Sequence, residues 1–383
     1  MIGLTAGPVV FAVEDTSAQV SWRSVPSGPV TVECHGARVV AEGDGGPGVV
    51  DLTGLTPATA YTARVTVGAE VVAELPFRTL PTPPGEELFR FATVGDVHLG
   101  QLAFGLRRRL TEPDAVVPHP LRCVRAAATA LVAWGARRLV VKGDFVNANT
   151  DEHWAMASEF VQSLPIPWDV VPGNHELAHG HDRPFERAAA AGIDMVRDVR
   201  PIDVDGLRLV LVNSASEEVE IGRLHHLSEP VSEAAATAEG AAMVLVHHQP
   251  QLPHVPLHLP RGVGALAARR FARELRAANP ASMGSSGHTH RYRRLDLAGL
   301  PWTEVGSPKD FPGAWAGYVV HEGGIRQVVR RVDDRDCLAW LDHTRHAALG
   351  AWGLWSPGRL SDRCFTYEWP VRRRAGSARG GRS

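Results

Sequence analysis

The sequence predicts an α/β domain preceded by a small all-β sandwich. Three observations predict it. Between Val9 and Thr79, short alternating runs such as "AQVSW", "VTVECH" and "YTARVTV" are separated by Gly, Pro and Ser clusters, the spacing of a sandwich that needs no helix. The stretch "LPTPPGEE" at 80–87 then stiffens the chain, because proline fixes φ and turns the residue before it away from helix. Beyond it the pattern becomes strand, loop, helix. At 383 residues the chain is long enough for two domains with a deep core.

In the first region, "LTPATAYTARV" at 55–65 resembles the tyrosine-corner segment of fibronectin type III modules. Tyr61 is then the corner residue and Trp22 the core tryptophan. In the second region "FRFATV", "RRLVVK", "WDVVP", "LRLVLVN", "MVLV" and "ASMGSS" are β-rich runs. Apolar residues at helical spacing mark two faces between them. Leu121, Val124, Ala128, Leu131 and Val132 form one, ending at the candidate stop Gly135, and Trp154, Ala157, Val161 and Leu164 form the other. Strand direction is not readable from this periodicity. Toward the C-terminus, Trp315, Trp340, Trp352, Trp355 and Trp369 predict packing over the main domain, and "RRRAGSARGGRS" reads as a disordered basic tail. The expected partition is 1–82 sandwich, 83–87 linker, 88–332 catalytic domain, 333–370 tryptophan-rich extension and 371–383 tail.

Composition narrows the function classes. A formal net charge of −2 gives no global pull toward nucleic acid or an anionic membrane. Cys34, Cys123, Cys337 and Cys364 lack CxxC spacing and read as thiols, with a Cys337–Cys364 pair left open. No apolar run approaches the length of a membrane span, and "MIGLTAGPVVFAVEDTS" lacks the pattern of a secretion signal, so a soluble cytoplasmic protein is expected.

Chemistry-bearing residues recur at the ends of the β-rich runs. "VGDVHLG" places Asp96 and His98 after the first, "KGDFVN" places Asp144 after the second, and "PGNHE" places Asn174 and His175 after the third. "VHHQP" and "GHTH" add His247, His288 and His290. Alone, each piece has a bland reading: a Gly-Asp is mostly structural, and Asn-His can be a helix cap. Together, five such loops at strand ends can converge on one crevice. Carboxylate, imidazole and amide oxygen without thiolate suit Mn, Fe, Co or Zn in an open site rather than a closed structural zinc.

The order D-x-H, GD, GNHE, HH, GHxH resembles the calcineurin-like metallophosphoesterase superfamily over residues 88–325. The resemblance implies a four-layer β-sandwich flanked by helices and two divalent or trivalent transition-metal ions. Asp96, His98, Asp144 and His290 would hold one ion, and Asp144, Asn174, His247 and His288 the other, with Asp144 shared. The resemblance assigns His247 rather than His248, Pro250 lying three residues on from the one and two from the other. Two ions about 3.5–4 Å apart hydrolyse a small phosphoester through a bridging hydroxide, so no protein nucleophile is required. The resemblance leaves His175 outside the ligand set, facing the substrate as the catalytic residue.

A sandwich ahead of such a domain resembles purple acid phosphatases, which carry a tyrosine three residues after the GD aspartate. Here that position is Asn147. The form GDFVN with GNHE and HH is closer to cyclic-nucleotide and glycerophosphodiester phosphodiesterases, so a phosphodiester is expected. The alternatives are a phosphomonoesterase, a nuclease approached over Arg107, Arg108 and Arg109, and a non-catalytic binding module. His119, His179, His181, His254 and His258 lie near the motifs and are expected at the surface or on the cleft wall.

Overall fold

The computed structural model describes residues 7–105, 110–112, 117–177, 183–252 and 259–370. Arg107, Arg108, Arg109, His179, His181, His254, His258 and the tail 371–383 lie outside them.

The first strands are β1 (Val9–Val13), β2 (Ser17–Trp22), β3 (Gly28–Cys34), β4 (Ala37–Gly43), β5 (Gly48–Thr53), β6 (Ala60–Val67) and β7 (Glu70–Arg78). They pair antiparallel in two sheets, ordered β1-β2-β5 and β4-β3-β6-β7. The alternation read from sequence decides which face is buried: Val30, Val32 and Cys34 of β3 and Ala63, Val65 and Val67 of β6 join Trp22 and Leu52 in a shared core. Tyr61 closes the corner, its hydroxyl accepting the Thr56 N–H at 2.9 Å.

The chain continues through β8 (Glu87–Val94), the short pair β9 (Ala103–Phe104) and β10 (Leu110–Thr111), α1 (His119–Ala133), β11 (Leu139–Lys142), α2 (Asp151–Gln162) and β12 (Trp168–Val171). Next come α3 (Asn174–Leu177), α4 (Pro184–Ala190), β13 (Val199–Val204), β14 (Leu207–Val212), α5 (Ser228–Ala236), β15 (Ala241–Val246), α6 (Ala265–Ala278) and β16 (Ser282–Ser286). The last elements are β17 (Arg293–Leu297), β18 (Leu300–Glu304), β19 (Ala314–His321), β20 (Gly324–Arg331), α7 (Arg335–Thr344), α8 (Ala351–Trp355), α9 (Leu360–Arg363) and β21 (Phe365–Glu368).

Two six-stranded sheets result, ordered β12-β11-β8-β19-β20-β21 and β13-β14-β15-β16-β18-β17. In the first, β8, β11 and β12 run parallel; in the second, β14, β15, β16 and β18 do. Phe91, Val140, Leu209, Leu211, Met243, Leu245, Met283 and Tyr318 fill the space between the sheets. Their outer faces are covered by helices, with Leu121, Val124, Leu131, Trp154, Ala157 and Val161 on one side and Val231, Ala235, Phe271 and Leu275 on the other. This is the four-layer α/β arrangement expected. Gly135, at φ 98°, ends α1: its N–H reaches Val132 O and that of Ala136 reaches Leu131 O, both at 3.0 Å.

The four cysteines are free and buried, so Cys337 and Cys364 are not paired. No described helix is long and apolar enough to cross a membrane.

Candidate metal centre

The site residues read from sequence stand just past the C-terminal ends of parallel strands. Asp96 and His98 follow β8, Asp144 follows β11, and Asn174 and His175 follow β12, all in one sheet. His247 follows β15, and His288 and His290 follow β16, in the other. The loops therefore meet across the seam between the two sheets.

Their backbones are strained. Asp96, His98, Asp144, His288 and His290 have φ between 49° and 69°, the left-handed region that costs an L-residue roughly 1–2 kcal/mol. Bonds from loop to loop hold them there. The Asp96 N–H donates to Gly143 O at 3.0 Å, that of His98 to Asp144 O at 2.8 Å, and that of Gly287 to His247 O at 2.8 Å. The His288 N–H donates to the Asp96 carboxylate at 2.9 and 3.0 Å. Two motif glycines are needed for this closeness: a Cβ on Gly143 would collide with the His247 ring, and one on Gly173 with Asp144.

The donor atoms converge. His98 Nε2 and His290 Nε2 lie 3.2 Å apart, and His247 Nε2 lies 3.1 Å from His288 Nδ1 and 3.2 Å from Asn174 Oδ1. Asp144 Oδ2 is 3.3 Å from His247 Nε2 and 3.6 Å from His98 Nε2, and Asp96 Oδ1 is 3.6 Å from His290 Nε2. Asp144 thus stands between two groups of donors. His175 also brings a ring nitrogen within 4.8 Å of donor atoms on His98 and Asp144. Its N–H donates to Asp144 Oδ1 at 3.0 Å and its Nδ1 to Asn147 O at 2.8 Å, which leaves Nε2 as the ring position facing the cleft among the described residues. His248 differs from His247: its Nδ1 meets Ser214 Oγ at 2.8 Å and its Nε2 the Glu220 carbonyl at 3.0 Å.

This donor set fits transition-metal ions. Imidazole nitrogens facing each other at 3.1–3.2 Å direct lone pairs at common points, an arrangement a cation between them stabilises. The charges agree. Burial alone would lower His247, but the carboxylates of Asp144 and Asp96 raise it to about 9, a negative field that favours a cation at this place. Burial pushes His98 and His288 well below the ordinary histidine range, leaving them neutral as ligation requires. Asp144, despite burial, is held well below the carboxylate range by His247 and His175.

Sequence reasoning missed the residues behind these donors. Asp310 is fully buried and accepts His290 Nδ1–H at 2.7 Å, while Lys309 Nζ lies 3.2 Å from the same oxygen. The signal was slight: "SPKD" follows β18, a further parallel strand end. Glu176 accepts the N–H groups of Asp144, Val146 and Gly173 at 3.0, 2.9 and 2.6 Å, pinning two motif loops together, and burial raises its carboxyl to about 7. His119, by contrast, is buried away from the cleft, bonded to Glu112 at 3.0 Å and set against the Trp340 ring at 4.1 Å.

The centre opens into a cavity of about 930 Å³. His98, Asp144, Asn174, His175, His288 and His290 form its floor. One wall comes from the C-terminal segment, with Ala347, Ala351, Trp352 and Trp355. Trp315 and Trp340 pack in the core as expected, whereas Trp352 and Trp355 face this cleft.

Two facing sheets with oxygen and nitrogen donors gathered at their parallel strand ends define a metallophosphoesterase. Residues 89–292, slightly more than half the chain, match the calcineurin-like phosphoesterase family, and the chain belongs to it. It is a phosphoester hydrolase of a metal-using family. No curated protein matches the chain. Among solved structures it is similar to a purple acid phosphatase from yellow lupin (Lupinus luteus) seeds, with 14% identity over 86% of this chain and 73% of that one and a TM-score of 0.44. It is also similar to PhoD, with 10% identity over 87% and 88% and a TM-score of 0.45.

Proposed function

We propose that the protein hydrolyses small phosphodiesters at a dinuclear transition-metal centre. The convergence of donors on Asp144 carries the reading. Asp96, His98, Asp144 and His290 hold one ion; Asp144, Asn174, His247 and His288 hold the other. Bound ions of the Mn, Fe, Co or Zn type supply Lewis-acid activation of water and of a phosphoryl oxygen. The chain's own residues do the rest. Asp96 and Asp144 neutralise the ions, Asp310 orients His290, and Glu176 fixes the loop carrying Asp144. His175, held by Asn147 O at Nδ1, turns Nε2 to the substrate, where it stabilises phosphoryl oxygens or protonates the leaving oxygen.

The diester preference rests on charge. Among the described lining residues the cleft carries one arginine, Arg261, and one carboxylate beyond the centre, Glu220. A dianionic monoester gains little there, whereas a monoanionic diester needs room for a second substituent, which the cavity offers. Residues 1–82, 83–87, 88–332 and 333–370 serve as sandwich, linker, catalytic domain and extension in this proposal. The test is a screen of Mn, Fe, Co and Zn against bis-p-nitrophenyl phosphate and p-nitrophenyl phosphate. Higher kcat/KM on the diester is expected; a tenfold preference for the monoester overturns the reading.

A further inference from the structure

The wall opposite the metal ligands is apolar, and half of it comes from a part of the chain beyond the matched family region. Phe104, Ile221, Leu259, Ala351, Trp352 and Trp355 line it. Several are unusually open to solvent for their type: Leu259 is 55% exposed and Trp355 46%, and the adjoining Leu349 is 97% exposed. A patch of this kind beside a catalytic floor marks a surface kept for a ligand.

The backbone reinforces the point. Ala348 and Leu349 have left-handed conformations, φ 52° and 59°, and Gly350 follows at φ 85°. Two non-glycine residues in that region are costly, and the turn they make delivers α8 to the cleft. Its far end is tied to the centre: Ser356 Oγ donates to Phe311 O at 2.8 Å and the Tyr292 N–H donates to Ser356 O at 2.9 Å, beside Asp310 and two residues beyond His290. The Trp352 ring consequently stands 6.3 Å from the His290 ring and 5.6 Å from that of Phe104.

We infer that this wall is a specificity subsite for the second ester substituent of the diester, and that the substituent it takes is aliphatic. The inference rests on the diesterase reading. A nucleobase is gripped best between parallel aromatic faces with groups that read its edge. Here Phe104 meets Trp352 at 63° and Trp352 meets Trp355 at 75°, with centroids 5.6 and 5.9 Å apart, so neither pair forms a parallel slot for a base. The amide on the described lining, Asn174, points to His247 in the metal centre. Arg261 and Glu220 also line the cleft, but the wall itself, from Phe104, Ile221, Leu259, Ala351, Trp352 and Trp355, is an irregular apolar surface that accommodates methylenes.

The test uses the full chain with Mn²⁺ and p-nitrophenyl alkyl phosphates, the leaving group constant and the other substituent methyl, butyl or hexyl. Each methylene buried should raise kcat/KM about two- to fourfold until the wall is covered. Trp352→Ala, and separately Trp355→Ala at the more exposed position, should lower the hexyl-to-methyl ratio at least tenfold. A flat chain-length profile in the native protein, with the methyl ester turned over, overturns the subsite and leaves the diesterase reading standing. A thymidine 5′-(p-nitrophenyl) ester outrunning the hexyl ester tenfold replaces the aliphatic occupant with a base. If no diester is cleaved, calorimetric binding of methyl and hexyl phosphate decides: equal affinities overturn the subsite, and tighter hexyl binding lost in Trp355→Ala upholds it.

Discussion

Asp310→Asn tests whether the buried carboxylate behind His290 tunes the metal centre. Asp310 Oδ2 accepts His290 Nδ1–H at 2.7 Å, which fixes Nε2 as the ring position facing His98 and Asp96. An asparagine oxygen can still accept that N–H, so ring orientation survives and charge is what is lost. A charge-assisted bond is roughly twice as strong as a neutral one, and partners of this kind typically contribute 10- to 100-fold in metal affinity, about 1.4–2.7 kcal/mol. The substitution also strips Lys309 of its 3.2 Å partner in a fully buried place. Lower thermal stability is expected for that reason alone, so Asp310→Asn is paired with Asp310→Asn/Lys309→Met, which removes the stranded charge. Chelator competition against Mn²⁺ reads the affinity of each ion, and thermal melts of metal-free protein read the fold. One ion should weaken 10- to 100-fold in both variants while the double variant melts higher than the single. Native affinity in the double variant would show that Asp310 only neutralises Lys309, and the positioning argument would fall.

Asp144→Asn should lose at least one ion and nearly all turnover, because a neutral amide cannot offset two dications; elemental analysis showing two ions per chain with native turnover refutes the shared-ligand assignment. His175→Ala should keep both ions and lower kcat by roughly 10²–10⁴, more for an alkoxide leaving group than for p-nitrophenolate if the ring protonates the leaving oxygen. Loss of an ion in that variant would make His175 a ligand. His119 predicts acid sensitivity: burial, helped by the Lys309 charge, lowers it from 6.5 to about 4 against the opposing pull of Glu112 and Asp310. The unfolded chain therefore takes up a proton near pH 6.5 that the folded chain refuses until about 4, so stability is constant above that window and falls by on the order of 3 kcal/mol as pH drops through it. Urea unfolding of His119→Gln should show a shallower fall between pH 7 and 4; parallel curves would refute the assignment.

The β-rich runs ending in motifs were legible because each carries its own signal. A buried parallel strand reads as a short apolar block, and the residues just past it read as chemistry; β8, β11, β12 and β15 show this, whereas β16, "SMGSS", is marked by the "GHTH" that follows it. Asp310 was not found because a single Asp after β18 matches any turn, and its meaning lies in a contact with His290 twenty residues back. Trp352 and Trp355 were read as packing because tryptophan composition does not distinguish a core from a cleft wall. The difference lies in the left-handed turn at Ala348 and Leu349, which nothing in "HAALGAW" announces.

The sandwich shows the same limit in its electrostatics, and shows how residues far from the cleft reach it. "GIRQVVRR" looks half solvated, yet all eight residues of β20 are buried. The partners of its arginines lie roughly three hundred residues upstream: Arg326 pairs with Asp15 at 2.5 Å, and Arg330 with Glu14 at 2.6 Å and with Asp51. No local window can pair charges so distant in sequence. Among the described residues the sandwich supplies none of the cavity lining, and its connection to the cleft is a different one. Ser21 Oγ accepts from Arg331 at 2.6 Å, and the same guanidinium donates to Pro312 O at 2.9 Å. Pro312 lies two residues from Asp310, which orients His290. The sandwich thus bears on the candidate metal centre through one buried arginine and the loop it braces.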